Sequence, residues 1–337
     1  MSERGAEPAL VVENLTTEFR IGGTWYPAVR GVGFALGRNE TLALVGESGC
    51  GKSITALSII GLVPRANGRV SSGRVLLDGR DLLALDEREM EKVRGNRISM
   101  IFQEPMTSLN PVLPVGFQVA EALRYHTDLS PSAARARALE LLEHVKIPSA
   151  ARRFGDYPHQ FSGGMRQRVM IAVALACGPE VLLADEPTTA LDVTIQAQVL
   201  ALLAELKASD GMAMIFITHN LGVVASIADR VAVMYAGDIV ELASVDELFA
   251  NPTHPYTEAL LRSIPRVDRD ALDLRPIPGQ VPPITAMPAG CRYADRCPLK
   301  IARCSVETPP LAPVPGLRGH HARCWVRTGD GAGAEAA

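Results

Sequence analysis

The sequence predicts an α/β protein of 337 residues. The expected core is a largely parallel sheet covered by helices on both faces, with an inserted helical subdomain, an N-terminal antiparallel β subdomain and a small cysteine-rich C-terminal extension. Three observations carry that expectation. The apolar run Thr41 to Val45 leads into the glycine loop Gly46-Glu47-Ser48-Gly49-Cys50-Gly51-Lys52-Ser53 and then into the helix-forming run Ile54 to Ile60. Further apolar runs at 181–185, 213–218 and 230–235 are separated by helical stretches, the pattern of parallel strands buried on both sides. From Val115 to about Ala176 the apolar spacing becomes helical, and stretches such as Ser132 to Leu142 are rich in helix formers.

Taken in order, Leu10 to Phe19 alternates as a strand does, Gly22-Gly23 makes the following turn, and Ala28 to Leu36 reads as a second strand. Residues 73–79 read as a short strand and turn, and 98–103 as a buried strand. With 47% hydrophobic and 21% charged residues the chain supports a large core, and its length suggests two or three domains or subdomains. A net charge of −3 leaves no basic footprint for nucleic acid or anionic lipid. The first residues lack a charged-then-apolar secretory pattern, and no apolar run approaches the ~18 residues that span a bilayer. The expectation is a cytoplasmic chain whose membrane role, if it has one, is borrowed from a partner.

The loop at 46–53 has the G-x-x-x-x-G-K-[ST] spacing between strand and helix. Its glycines let backbone N–H groups approach phosphate oxygens, and the helix N-terminus adds unpaired donors and a favourable partial charge. Lys52 is placed to reach the β- and γ-phosphates, and the Ser53 hydroxyl to ligate Mg2+. The strand 181–185 ends in two carboxylates, Asp185 to hold Mg2+ through its water shell and Glu186 to polarise an attacking water. Phe161-Ser162-Gly163-Gly164-Met165 opens a helix with a second set of anion donors, which the first loop leaves without need for the same nucleotide.

Loop 46–53, Gln103, the run 161–165, Val181 to Glu186, Ala190-Leu191-Asp192 and Thr218-His219 occur in the order and spacing of the ATP-binding cassette (ABC) ATPases, which residues 9–264 resemble. The resemblance implies a P-loop NTPase core with its helical subdomain at about 104–176. ATP and Mg2+ would be held by Gly46, Ser48, Gly49, Cys50, Gly51, Lys52, Ser53 and Ile54, with Asp185 and Gln103 also on the metal. Gln103 would in addition sense the membrane partner, and Glu186 and His219 would align water for hydrolysis. Ser162, Gly163, Gly164 and Asp192 would reach the ATP of a second subunit across a head-to-tail pair. Phe19 resembles the aromatic that stacks on adenine, with Trp25 or Tyr26 as alternatives. Phe161 and Met165 depart from the commonest Leu and Gln of that loop, but the serine and both glycines remain.

Three runs, Gln103 to Pro111, Tyr157 to Arg168 and His254-Pro255-Tyr256-Thr257, look like the ATP-binding subunits of bacterial dipeptide and oligopeptide importers. That narrower resemblance implies a homologous second ATPase, two transmembrane permease subunits, an extracytoplasmic peptide-binding protein and a place on the cytoplasmic face of the membrane, with no nucleic acid. A soluble cassette ATPase acting on nucleic acid or ribosomes is the alternative.

Residues 265–290 are proline-rich and read as a linker. Cys291, Cys297, Cys304 and Cys324 fall within the segment 291–326, where metal or cluster ligation is expected over disulfides in a reducing compartment. A stretch this short needs a staple. The resemblance implies a [4Fe–4S] cluster on the four thiolates, with zinc and unligated thiols as alternatives. Cys50 and Cys177 read as ordinary buried residues, His320 and His321 as solvent-exposed, and 327–337 as a disordered tail.

Overall fold

The computed structural model describes residues 7–104, 108–189, 191–263 and 277–328. The expectations that touched Pro105 to Thr107, Ala190, Pro265, Pro276 and 329–337 lie outside the described residues. The chain divides into two compact units. Met1–Leu10, Leu36–Glu40 and Leu77–Ile217 form the first; Val11–Ala35, Thr41–Leu76 and Thr218–Ala337 form the second.

In the first unit the strands Ile98–Ile101, Val181–Asp185 and Ala213–Thr218 run parallel, with Ile98 opposite Val181 and Val181 opposite Ala213. Their side chains are buried throughout, which is why the sequence shows continuous apolar runs and no alternation. Arg97 straps the edge of this sheet, its Nε donating to Glu180 at 2.6 Å. The helical insertion contains Val115–His126, Pro131–His144, Ala150–Arg153 and Gly163–Ala174. Pro131–His144 starts as its sequence dictates: the Ser130 hydroxyl accepts from the Ala133 N–H at 3.2 Å and Pro131 fills the first turn. Val119, Leu123, Ala138 and Leu142 carry its packing.

In the second unit the strands Leu10–Ile21 and Thr24–Leu36 flank the Gly22-Gly23 turn, and Gly68–Leu77 lies on the other side of Leu10–Ile21. These strands begin or end a few residues beyond the expected bounds, whereas 98–103 shortens to Ile98–Ile101. Thr41–Val45 is parallel to Arg230–Tyr235, which is antiparallel to Asp238–Ser244. The short strands His321–Ala322 and Ala312–Pro313 extend that edge, Glu241 pairing with Ala322. Val45, Val233, Tyr235, Val240, Tyr256 and Tyr293 share one core.

The strand Asp238–Ser244 escapes a periodicity reading because its two carboxylates are buried, not solvated. Asp238 accepts from Arg30 Nε at 2.9 Å, and Glu241 lies 2.7 Å from His320 Nε2. His320 is therefore fully buried, contrary to its expected exposure: the carboxylate supplies inside the fold the partner that water was expected to supply.

Candidate functional site

The second unit carries the phosphate loop between the buried strand Thr41–Val45 and the helix Lys52–Ile59. Gly46 has φ +150°, and a side chain there would run into the Met234 carbonyl oxygen, so the approach of two backbones excludes every other residue. Ser48 and Gly49 form the exposed tip, while Ser53 and Ile54 are half-buried on the first helical turn. Lys52 is only 5% exposed and folds over the loop, donating to the Gly46 carbonyl at 2.9 Å and the Glu47 carbonyl at 3.1 Å. A phosphate entering the loop competes with those carbonyls for the ammonium. The Thr55 hydroxyl pins the other side by donating to the Gly51 carbonyl at 2.8 Å. Cys50 is buried and burial pushes its thiol up, so it fills the loop as an inert residue.

The same unit carries His219, exposed immediately after the buried Thr218, with the Asn220 side chain capping the helix Leu221–Ile227 behind it. Among the aromatic candidates, Phe19 is half-buried against Gly68. Trp25 has the Arg69 guanidinium 4.1 Å from its ring centroid, which occupies one face.

In the first unit Asp185 is 4% exposed at the end of its strand. Glu186 follows with φ +46°, a left-handed conformation that a non-glycine residue adopts only where its surroundings enforce it. The enforcement is visible: its N–H donates to the Ile217 carbonyl at 2.9 Å, and its Oε2 accepts from Gln103 Nε2 at 3.2 Å and from the Thr189 hydroxyl at 2.8 Å. Gln103 and Glu186 are thus brought together although 83 residues separate them. Sequence reasoning missed Thr189. Its signal was the spacing of a tight turn, three residues beyond the carboxylate.

Ser162 is exposed and caps the helix Gly163–Ala174, its hydroxyl accepting from the Met165 N–H at 3.3 Å. Asp192 does the same for Val193–Asp210, accepting from the Ile195 N–H at 2.9 Å. The two helix starts abut: a Cβ on Gly164 would lie 2.6 Å from Ile195 Cγ2. Beside them Val193 is 84% exposed.

All six cysteines are free thiols. Burial raises Cys291 to about 11, with Cys304, Cys297 and Cys324 adding to the shift. Cys291 therefore feels the other three, while among the described residues no group of three or more His, Cys, Asp or Glu is arranged to hold a metal ion. The segment is also held by other contacts: the Cys291 N–H donates to the Cys304 carbonyl at 2.8 Å, the Arg303 guanidinium stacks 3.4 Å from the Trp325 ring centroid, and His320 meets Glu241.

Residues 29–189 match the family model described as ABC transporter, and 240–304 the one described as oligopeptide/dipeptide transporter, C-terminal region. A probable peptide ABC transporter ATP-binding protein of Sinorhizobium fredii is 53% identical, covering 95% of each chain. The oligopeptide transport ATP-binding protein AppD of Bacillus subtilis is 51% identical over 96% of this chain and 98% of its own. Among solved structures, the ATP-binding cassette MJ0796, a dimer in a post-hydrolysis state bound to ADP and Pi, is similar with a TM-score of 0.63 and 29% identity. It covers 70% of this chain and 98% of its own.

Proposed function

The chain belongs to the ABC transporter ATP-binding proteins of the peptide-transport group, and we propose that it hydrolyses ATP to drive import of dipeptides or oligopeptides. The observation that carries the chemical part is the Glu186 carboxylate, held in a strained backbone conformation by Gln103 and Thr189 at the end of a buried strand. A group fixed in this way can orient one water and accept its proton as the new oxygen–phosphorus bond forms and the bond to the ADP oxygen breaks. Lys52 and the backbone donors of the loop bind the phosphates. His219 is the residue proposed to assist in aligning that water.

Asp185, Ser53 and Gln103 offer the hard oxygen donors that suit Mg2+, and the burial of the Asp185 carboxylate fits a cation partner. The ion would neutralise charge on the phosphates. Phe19 is the adenine platform on this reading, since Trp25 already carries Arg69.

Ser162, Gly163, Gly164 and Asp192 act on the ATP of a second, homologous ATPase in a head-to-tail heterodimer. The exposure of Ser162, Gly163, Asp192 and Val193 supports such a pairing. Two permease subunits and an extracytoplasmic binding protein complete the importer, with this chain on the cytoplasmic face. No helix among the described residues is long and apolar enough to cross a membrane. The soluble nucleic-acid alternative is set aside, because the relatives are named for peptide transport.

The cysteine segment is proposed to take a [4Fe–4S] cluster. Four thiols, three of them close enough to raise the fourth, Cys291, are the donor set of such a cluster. One zinc needs all four sulfurs at about 2.3 Å, which makes it the poorer fit to thiols that do not converge. Anaerobic purification with an absorption spectrum and an iron count tests this, and colourless iron-free protein with an intact fold removes it.

Glu186→Gln tests the main reading. The variant is expected to bind ATP, lose hydrolysis by about 10²–10³-fold and accumulate as a closed pair with its partner ATPase. Unchanged turnover would remove Glu186 from the role.

A further inference from the structure

Glu47, the second residue of the phosphate loop, is the loop residue for which sequence reasoning found no task. It is nonetheless tied at every polar group it has. Its N–H donates to the Tyr256 hydroxyl at 2.8 Å, and its carboxylate receives both ends of the Arg296 guanidinium, Nη1 on Oε2 at 2.7 Å and Nη2 on Oε1 at 3.2 Å. Its carbonyl is one of the two that hold Lys52. All three polar groups of one residue are thus engaged, two of them by side chains more than 200 positions away.

Those side chains are themselves fixed. The Arg296 side chain is 4% exposed, donates through Nε to the Pro278 carbonyl at 2.8 Å, and lies over the rings of Tyr235 and Tyr293 at 5.6 and 5.9 Å. Tyr256 is fully buried, with its ring 4.8 Å from Tyr235 and 5.5 Å from Tyr293. A second tie runs in parallel: Arg292 donates to the Ala236 carbonyl, and the next residue, Gly237, donates its N–H to the Cys50 carbonyl at 2.8 Å. The C-terminal segment therefore grips the phosphate loop directly at Glu47, and at Cys50 only through the turn at Ala236-Gly237.

We propose that Tyr256 and Arg296 are positioning residues for ATP, acting through Glu47, so that the segment beyond residue 277 is a working part of the nucleotide site. The inference rests on the ATPase reading and deepens it. A loop of backbone donors binds phosphate in one arrangement only, and ordering it during binding subtracts from affinity. Tyr256 takes the Glu47 N–H out of the set of donors that need a phosphate. The fork of Arg296 fixes the carboxylate in a plane, which a lysine cannot do. With Glu47 fixed at both ends, its carbonyl holds Lys52 over the loop.

The test uses the full chain, with MgATP binding followed by calorimetry, ATPase kinetics and thermal melting for each variant. Tyr256→Phe keeps the buried ring, and Arg296→Lys keeps a charge. Each is expected to weaken MgATP binding about tenfold, the order of one charge-assisted or buried hydrogen bond, raising KM for ATP with little change in kcat. Glu47→Gln is expected to do the same, and Arg296→Lys on that background to add nothing further. Lys300→Gln, which removes an exposed bridge to Asp295 in the same segment, is expected to leave affinity unchanged. Unchanged affinity in folded Tyr256→Phe, or full additivity of Glu47→Gln and Arg296→Lys, overturns the inference in favour of a purely structural tie. If Arg296→Lys fails to fold, Tyr256→Phe decides alone. A wild-type chain that does not bind MgATP would overturn the functional reading, and the inference with it.

Discussion

The phosphate loop and the Glu186 region solve the same problem, holding polar groups ready for charge, in opposite ways. Around the loop the groups are buried and tied to the rest of their unit: Lys52 on two carbonyls, Gly46 against Met234, Gly237 on Cys50. Around Glu186 most groups face solvent and are satisfied locally, Gln103 and Thr189 on the carboxylate, Ser162 and Asp192 on their own helix starts. Groups that meet only a nucleotide can be fixed in advance. On the proposed reading Ser162 and Asp192 meet another protein chain, and such groups must stay accessible and still lose nothing while alone.

The sharpest way to break this contrast is one methyl group on each side. Gly46→Ala puts a Cβ into the Met234 carbonyl oxygen and is expected to abolish ATP binding outright. Gly163→Ala finds its nearest atom, Leu191 Cδ2, at 3.9 Å and is expected to leave melting unchanged while lowering hydrolysis by the assembled pair. Equilibrium binding and thermal melting of both variants decide it. Loss of stability in Gly163→Ala would show that the second region is as tightly fixed as the first.

Charge tests the same contrast at smaller amplitude. Glu241 is buried and holds the Thr253 N–H at 2.7 Å, the His254 N–H at 2.8 Å and His320. Removing it as Glu241→Ala strands all three and is expected to lower stability by about 3–5 kcal/mol in urea denaturation. The bridge of Lys146 to Glu205 is exposed on both sides, and Glu205→Ala is expected to unfold at the same urea midpoint as wild type. Equal losses would erase the distinction.

Acid probes the buried side alone. Burial pushes His254 from 6.5 down to about 4, with Glu241 opposing and Arg323 reinforcing the shift, while its Nδ1 accepts from the Tyr256 N–H at 3.1 Å. The unfolded chain protonates first as pH falls. The stability that neutral His254 confers is therefore complete above pH 6.5 and drains away as pH falls toward 4, by at most about 3 kcal/mol. Denaturation at pH 7 and pH 5 measures it, and His254→Asn should flatten that part of the profile.

The contrast also explains what could be read from the sequence. The loop, the strand ending in Asp185 and Glu186, and the helix opened by Ser162 are local: strand, turn and cap chemistry sit within a few residues, so spacing alone locates them. Glu186 to Gln103, Glu47 to Arg296 and Glu241 to His320 join residues 79 or more positions apart. No period or spacing encodes such a pair. Buried carboxylates add a second blind spot, because Asp238 and Glu241 look like solvent-facing positions until their partners are known. The contacts that hold the cysteine segment were hidden for a related reason: an arginine on Trp325 and a histidine on Glu241 are ordinary residues without a motif.

The smallest effect separates a local cap from a contact across two chains. Ser162→Ala removes the acceptor for the Met165 N–H at an exposed helix start, which is expected to lower stability by about 1 kcal/mol, whereas Ser162→Gly should lose only a few tenths. If capping were the whole role of Ser162, hydrolysis by the assembled pair would follow the same order, with the glycine variant near wild type. If the hydroxyl meets the γ-phosphate held by the partner, both variants lose hydrolysis alike, because both lack the oxygen. Melting temperatures that differ together with turnover rates that do not would therefore place Ser162 in the second chain's nucleotide site, and rates that track the melts would leave it a cap.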